Sequence, residues 1–198
     1  MRKIKTDVIV IGAGQAGLAI SYYLTKAKIE HIILERGSIA NAWKNERWDS
    51  FCLVTPNWTI TLPDAFDSPV DPDAFMKKDD FVRLLENWAK SFRAPVMEGV
   101  CVSDLSRTGN EFKIVTDSRV FFANQVIIAT ATYQRPKIPQ MLSNLDSRWE
   151  LKTAIDYKNP YSLREGAVLV VGSGQSGCQI AEELNLSLIH ISEPTRHH

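Results

Sequence analysis

The chain has 198 residues, with 23 basic and 23 acidic side chains and 44% hydrophobic residues. Balanced charge gives no electrostatic reason to expect nucleic acid or a membrane surface as partner, and no apolar run approaches the roughly 18 residues of a membrane-crossing helix. Its cysteines, Cys52, Cys101 and Cys178, lie far apart with no C-x-x-C pair and no neighbouring histidines, which points to a reducing cytoplasm and away from structural zinc or a redox disulfide.

The basic residues 1–5 lead straight into an apolar run, so they read as part of the fold and not as a cleavable signal. Val8, Ile9, Val10 and Ile11 form a β-branched stretch suited to a parallel strand covered on both faces. Gly12, Ala13, Gly14, Gln15, Ala16 and Gly17 follow as G-x-G-x-x-G. In such a turn the first glycine allows the bend, the second lets a pyrophosphate approach the backbone, and the third lets the next helix lie close to the strand. Leu18, Ala19, Tyr22, Tyr23 and Lys26 continue at helical spacing, so the first-turn N–H groups face any anion held there. Ile32, Ile33 and Leu34 give a second buried strand, and Glu35 stands at its end, about 20 residues past the glycines, where a carboxylate takes ribose hydroxyls. Strand, turn, helix and acid together point to dinucleotide binding; the alternative is a glycine-rich turn in an ordinary βαβ unit.

Residues 36–78 read as a long irregular segment rich in Pro, Asp, Asn and aromatic side chains. A loop of this length is usually functional or disordered, and its aromatic content argues against disorder. Trp43, Trp48, Phe51 and Trp58 either fill a subsidiary core or wall a site for a flat ring system. Asp79 and Asp80 open a helix in which Phe81, Leu84, Leu85, Trp88, Ala89 and Phe92 share one packing face, and Pro95 ends it. Three short strands are expected at residues 99–102, 112–115 and 120–122, with turns at 108–110 and 117–118, forming a small antiparallel meander. Residues 125–129 return to the parallel-strand pattern, and two prolines hold residues 133–139 extended.

Val168, Leu169, Val170 and Val171 predict a further strand, followed by Gly172, Ser173, Gly174, Gln175, Ser176 and Gly177, then a helix from Cys178. Two such turns imply two nucleotide sites. An enzyme needs two when one nucleotide is a resident redox cofactor and the other delivers electrons.

With both turns in view, the chain resembles the flavin-containing monooxygenase and Baeyer–Villiger-type superfamily of two-dinucleotide flavoproteins over residues 1–185. It looks most like bacterial flavin-dependent oxidoreductases whose loop reads as residues 46–50 and 55–58 do here. The resemblance implies an α/β, Rossmann-like FAD-binding domain with a small meander over residues 1–164, lacking its returning C-terminal segment, and the start of an NAD(P)H-binding domain over 165–185. It implies that Gly12, Ala13, Gly14, Gln15, Ala16, Gly17, Glu35 and Arg36 hold FAD, with Trp43, Arg47, Trp48 and Thr55 toward the flavin. The backbone at Val102 would meet adenine, Ala129 and Thr130 would border the FAD site, and Gly172, Ser173, Gly174, Gln175, Ser176 and Gly177 would take the pyrophosphate of NADP or NAD. The implied activity is a monooxygenase: the nicotinamide reduces the flavin, which takes up O2 as a peroxide that attacks a small organic substrate.

Two features depart from that pattern. Ala131 stands where the family usually has glycine, and residues 147–153 lack the Phe, Gly and His of the monooxygenase fingerprint, although Tyr157, Lys158, Asn159 and Pro160 are recognisable. An NAD(P)H-dependent flavin reductase or dehydrogenase and a non-catalytic nucleotide-binding remnant are therefore the alternatives, and no acid–base pair or nucleophile is nominated. Within a tail at residues 186–198, the eleven residues 186–196 match the translation of an adapter used in transposase-based sequencing libraries; the alternative is a genuine short apolar strand with a His-ending tail. His190, His197 and His198 are accordingly not read as metal ligands, and the chain as it stands is expected not to complete an NAD(P)H-driven cycle.

Overall fold

The computed structural model describes residues 2–66, 70–132, 135–142 and 144–188. Its spine is β1 (Arg2–Ile11), which pairs in parallel with β2 (His31–Leu34) on one side and β6 (Arg119–Ile128) on the other. Beyond β2 lies β3 (Val96–Met97), also parallel; beyond β6, β5 (Glu111–Thr116) and β4 (Val102–Thr108) continue antiparallel. One six-stranded sheet results, in the order β3-β2-β1-β6-β5-β4. The carboxyl ends of β1, β2 and β6 share one edge, the place where open α/β sheets bind ligands.

Alternation along β1 sends Val8 and Val10 to one face and Ile9 to the other. Against the first face pack α1 (Gln15–Lys26) and α3 (Lys78–Ser91), burying Leu18, Tyr22, Phe81, Leu85 and Trp88. Each such side chain withdrawn from water contributes about 1.5–3 kcal/mol. The second face carries a smaller cluster, Ile9, Leu34, Ile114, Phe121 and Ala123. On α3 the predicted face is observed, with Leu84 and Phe92 half-buried at its margin. The helix stops at Ser91, ahead of Pro95, and Arg93 turns the chain with φ +54°.

Three expectations need correction. The third meander strand and the returning parallel strand are one element: β6 pairs antiparallel with β5 through Ala123 and parallel with β1 along its length. Residues 123–124 fall between the two expected strands, but pairing with the ten-residue β1 carries the strand across them. Residues 99–102 are not a strand. Gly99 turns there with φ +67°, donating to the Gly37 carbonyl, and the strand begins at Val102. β4 lies at the sheet edge and is exposed beyond its first residue, so no apolar alternation marked it. Residues 168–171 form no strand either. Among the described residues they have no ladder partner, and Val168, Leu169 and Val171 are exposed.

The long segment after Glu35, read as irregular, carries short helical elements. It contains α2 (Asn41–Asn45) and a single 3-10 turn at Asn57–Thr59. The final helix, α4 (Gln175–Leu188), follows the second glycine turn and runs three residues past Asn185. Tyr133 and Gln134 of the proline-bounded segment, and His190, His197 and His198, lie outside the described residues.

Candidate functional site

The glycine turn at the end of β1 is built by close approach. Gly12 has φ +105°, and a Cβ there would lie 2.6 Å from the Ala129 carbonyl oxygen. A Cβ at Gly17 would lie 1.9 Å from the Gly12 carbonyl oxygen, so α1 sits against the turn only because neither residue has a side chain. Gly14 differs: a Cβ there would meet nothing within 4 Å among the described residues. Gly14 is also the N-cap of α1, and Gln15 and Ala16 beside it are exposed. The opening therefore faces the positive end of a helix whose cap offers no side chain, as an anion requires.

Glu35 closes this site from the end of β2. It is 7% exposed; Ala13 N–H donates to its Oε2 at 2.8 Å, and Gly37 N–H to its Oε1 at 2.9 Å. Two backbone donors fix the carboxylate, and each oxygen keeps a lone pair for a hydroxyl donor. Arg36, beside it, pairs with Glu46 and points its charge into the loop that follows. At the end of β6, Ala129 N–H donates to the Ile11 carbonyl at 2.8 Å, which seats the 129–131 turn against Gly12. Thr130 is exposed in that turn, and Ala131 adopts φ +61°, a left-handed conformation that favours glycine. Val102, half-buried, opens β4 opposite Thr116 and packs with the smaller cluster.

The aromatic segment supplies both a core and a wall. Trp48 is 1% exposed, edge-to-face on Phe51 with centroids 4.9 Å apart, and its indole N–H has no partner among the described residues. Trp43 of α2 meets Phe81 of α3 edge-to-face at 4.9 Å, and the Arg47 guanidinium lies over the Trp43 and Phe51 rings at 5.4 and 5.8 Å. Trp43, Phe51 and Phe81, with Leu53, Val54, Thr55, Thr59 and Ile60, line a cleft of about 170 Å³ that reaches Gln15 at the glycine turn. Trp43 and Thr55 thus border the same cleft as the first glycine motif. Trp48 backs the wall as core, and Trp58 is exposed, outside it.

The second motif repeats the geometry of the first. Gly172 has φ +114°, and a Cβ at Gly177 would lie 2.0 Å from the Gly172 carbonyl oxygen, whereas one at Gly174 would meet nothing within 4 Å among the described residues. Ser173, Gln175 and Ser176 are exposed around it. Where Gly12 abuts Ala129, a Cβ at Gly172 would also meet nothing within 4 Å among the described residues, so no neighbouring strand end closes this turn.

Sequence reasoning missed what holds α4 and the aromatic loop together. Lys158 Nζ donates to the carbonyls of Asn45 at 2.5 Å and Ile155 at 3.2 Å, and its own carbonyl accepts from Asp49 N–H at 2.8 Å. Asn159 Nδ2 donates to Asp49 Oδ2 at 2.7 Å, and Tyr157 Oη to Glu183 Oε2 of α4 at 2.6 Å. Burial, with the Glu183 carboxylate beside it, pushes the Tyr157 phenol well above the usual tyrosine range. Apart from the local bond to Ile155, these pairs are separated by 26 to 113 residues, and no local pattern announces them. Among the described residues no group of His, Cys, Asp and Glu is arranged to hold a metal, and no helix is long and apolar enough to cross a membrane.

Comparison with known proteins bears on this geometry. The family profile described as pyridine nucleotide-disulphide oxidoreductase matches residues 9–192. A CzcO-like oxidoreductase of Geobacillus kaustophilus is 40% identical over 181 residues, covering 90% of this chain and 51% of that protein. A probable indole-3-pyruvate monooxygenase of Arabidopsis thaliana, YUCCA1, is 32% identical over 89% of this chain and 44% of its own length. A variant of a flavin monooxygenase from Stenotrophomonas maltophilia superposes with a TM-score of 0.83 at 25% identity, covering 92% of this chain and 55% of that one. The chain spans about half the length of the curated relatives it matches.

Proposed function

The chain belongs to the pyridine nucleotide-disulphide oxidoreductase family and to the flavin monooxygenase superfamily, and from that premise we propose that it forms the FAD-binding part and the first nicotinamide-binding elements of an NAD(P)H-dependent monooxygenase. The observation that carries this reading is the pair of glycine turns with matching internal geometry, both open at the middle glycine among the described residues, the first also sealed onto the sheet at Gly12 and clasped by Glu35. The residues fit the cofactors: the space at Gly14 would admit a pyrophosphate, Glu35 would take ribose hydroxyls, and the aromatic cleft beside Gln15 would face the flavin.

The flavin, when bound, supplies hydride acceptance from NAD(P)H and activation of O2 for transfer to a small organic substrate. The chain's own residues bind, orient and exclude water. Gly14, Gln15 and Ala16 would present backbone N–H groups to the FAD phosphates, while Gly12, Ala13 and Gly17 shape the turn, the N–H groups of Gly12 and Ala13 being held by the Leu34 carbonyl and the Glu35 carboxylate. Trp43, Phe51 and Phe81 form an aromatic wall, and Arg47 holds a positive charge against it. Gly172, Ser173, Gly174, Gln175, Ser176 and Gly177 receive the second dinucleotide. The cytoplasm, with its NAD(P)H pool, is the compartment we assign, in keeping with three free cysteines.

Titrating the chain with FAD tests the cofactor assignment, with Gly14→Val expected to abolish binding. Unchanged affinity in that variant counts against the site. In a polypeptide carrying this chain with a complete second nucleotide domain, NADPH oxidation, O2 uptake and product should run in equal amounts. NADPH oxidation without oxygenated product selects the second reading, a flavin reductase, which the missing Phe, Gly and His at residues 147–153 favour.

A further inference from the structure

One edge of the cleft wall is held by a side chain that belongs to neither glycine turn. Residues 51–53 run extended against residues 76–78: Leu53 N–H donates to the Met76 carbonyl at 2.9 Å, Lys78 N–H to the Phe51 carbonyl at 2.8 Å, and Cys52 bridges to Lys77. In an extended chain the polar groups of successive residues face opposite edges, so the N–H and C=O of Cys52 point away from that pairing. Both meet Gln179 of α4. Cys52 N–H donates to Gln179 Oε1 at 3.3 Å, and Gln179 Nε2 donates to the Cys52 carbonyl at 3.0 Å. The carboxamide thus stands in for the peptide group of a missing strand and satisfies both main-chain groups of one residue.

The two ends of this contact are functionally placed. Phe51, Leu53, Val54 and Thr55, on either side of Cys52, line the cleft that reaches the first glycine turn. Gln179 lies just past the second glycine turn, whose Gly174 carbonyl accepts from Cys178 N–H at 3.0 Å as α4 begins. Tyr157 and Glu183 fix the next turn of α4 to the same unit, and Leu184 enters its core. A displacement or ordering of the start of α4 is therefore delivered to Cys52 through two hydrogen bonds, and from Cys52 to its cleft-lining neighbours.

We infer that Gln179 is a positioning residue that couples occupancy of the second dinucleotide turn to the wall of the first site. This rests on the two-dinucleotide reading above. A nucleotide held at the start of α4 orders the helix and so fixes the Cys52 main chain. The flavin then meets a wall already in place and pays less to order it, which is positive cooperativity.

The test uses the 198-residue chain, with FAD and NADP+ as probes. NADP+ at saturation is expected to tighten FAD binding about fivefold, the lower end of ordinary coupling. In hydrogen exchange it should slow the amides of residues 51–55 as well as those of 172–179. Gln179→Leu should leave each ligand's own affinity within about twofold, remove the mutual tightening, and confine NADP+ protection to 172–179. Cys52→Ala, which keeps the main-chain partners, should behave as the unaltered chain and guards against a folding defect as the cause. Failure of the unaltered chain to bind either dinucleotide overturns the two-site reading and this inference with it. Both ligands bound without mutual tightening, or tightening that survives Gln179→Leu, overturns the coupling alone.

Discussion

The Glu35 carboxylate reaches back 22 residues to take the N–H of Ala13, the second residue of the glycine turn. A residue read from the sequence as a ribose ligand is thus also a brace for the loop that would cradle the phosphates. Glu35→Ala leaves the N–H groups of Ala13 and Gly37 without their acceptor in a buried place, at a cost of about 1–3 kcal/mol before any ligand is present. Urea unfolding of the ligand-free variant should show that loss, and FAD titration a further one of about 1.5–3 kcal/mol. An unfolding midpoint equal to that of the unaltered chain would refute the bracing role.

The glycines of the first turn separate fold from binding. Gly17→Ala forces a Cβ onto the Gly12 carbonyl, backbone against backbone, and should cost roughly 3 kcal/mol, the upper end for overpacking. Gly14→Ala has open space and φ −82°, which alanine adopts, so its stability should change by no more than about 1 kcal/mol, the difference between the two residues as helix caps. Its FAD affinity should nevertheless fall about tenfold, or about 1.4 kcal/mol. Paired denaturation and titration curves check both; equal stability losses would mean that the opening at Gly14 is incidental.

What could be read in advance was what local pattern encodes. The apolar run of β1, the glycine spacing and the acid after β2 each follow from a few consecutive residues, and the face of α3 follows from period 3.6. Residues 168–171 carry the same β-branched pattern as β1 yet form no strand, because a strand also needs a neighbour and none is present among the described residues. β4 fails in the opposite way: its polar residues are a strand because β5 supplies the ladder. The clasp of Cys52 by Gln179 and the ties from Lys158 and Asn159 span more than 100 residues, and an isolated Gln or Lys gives no sign of such a partner.

Ala131 marks a local cost. At φ +61° its Cβ crowds the backbone, worth about 1–2 kcal/mol, and the side chain is exposed, so nothing in packing repays it. Ala131→Gly relieves that strain but gives the unfolded chain more freedom, offsetting about 0.4–1 kcal/mol. The balance favours the variant by about 1 kcal/mol, readable as a higher urea midpoint at unchanged slope. A lower midpoint would show that the turn is held by something other than local conformation.

Alkaline pH should loosen α4 through one phenol. Tyr157 is 4% exposed and donates to Glu183, and burial followed by that carboxylate raises its pKa above the ordinary value near 10. A group whose folded pKa is raised contributes stability that is fully present below its unfolded pKa and is lost as pH climbs toward the folded value. The docking of α4 should therefore be flat with pH below about pH 10 and weaken above it. Other tyrosines and the lysines also titrate there, so the decisive quantity is the difference from Tyr157→Phe. That variant forfeits one hydrogen bond, about 1 kcal/mol at neutral pH, because the half-buried Glu183 can turn to water. It should also lose the part of the alkaline decline that belongs to this phenol. Hydrogen exchange across α4 from pH 8 to 11, corrected for the intrinsic rate, measures both. Parallel alkaline profiles in the two proteins would mean that the Tyr157–Glu183 bond does not hold the helix.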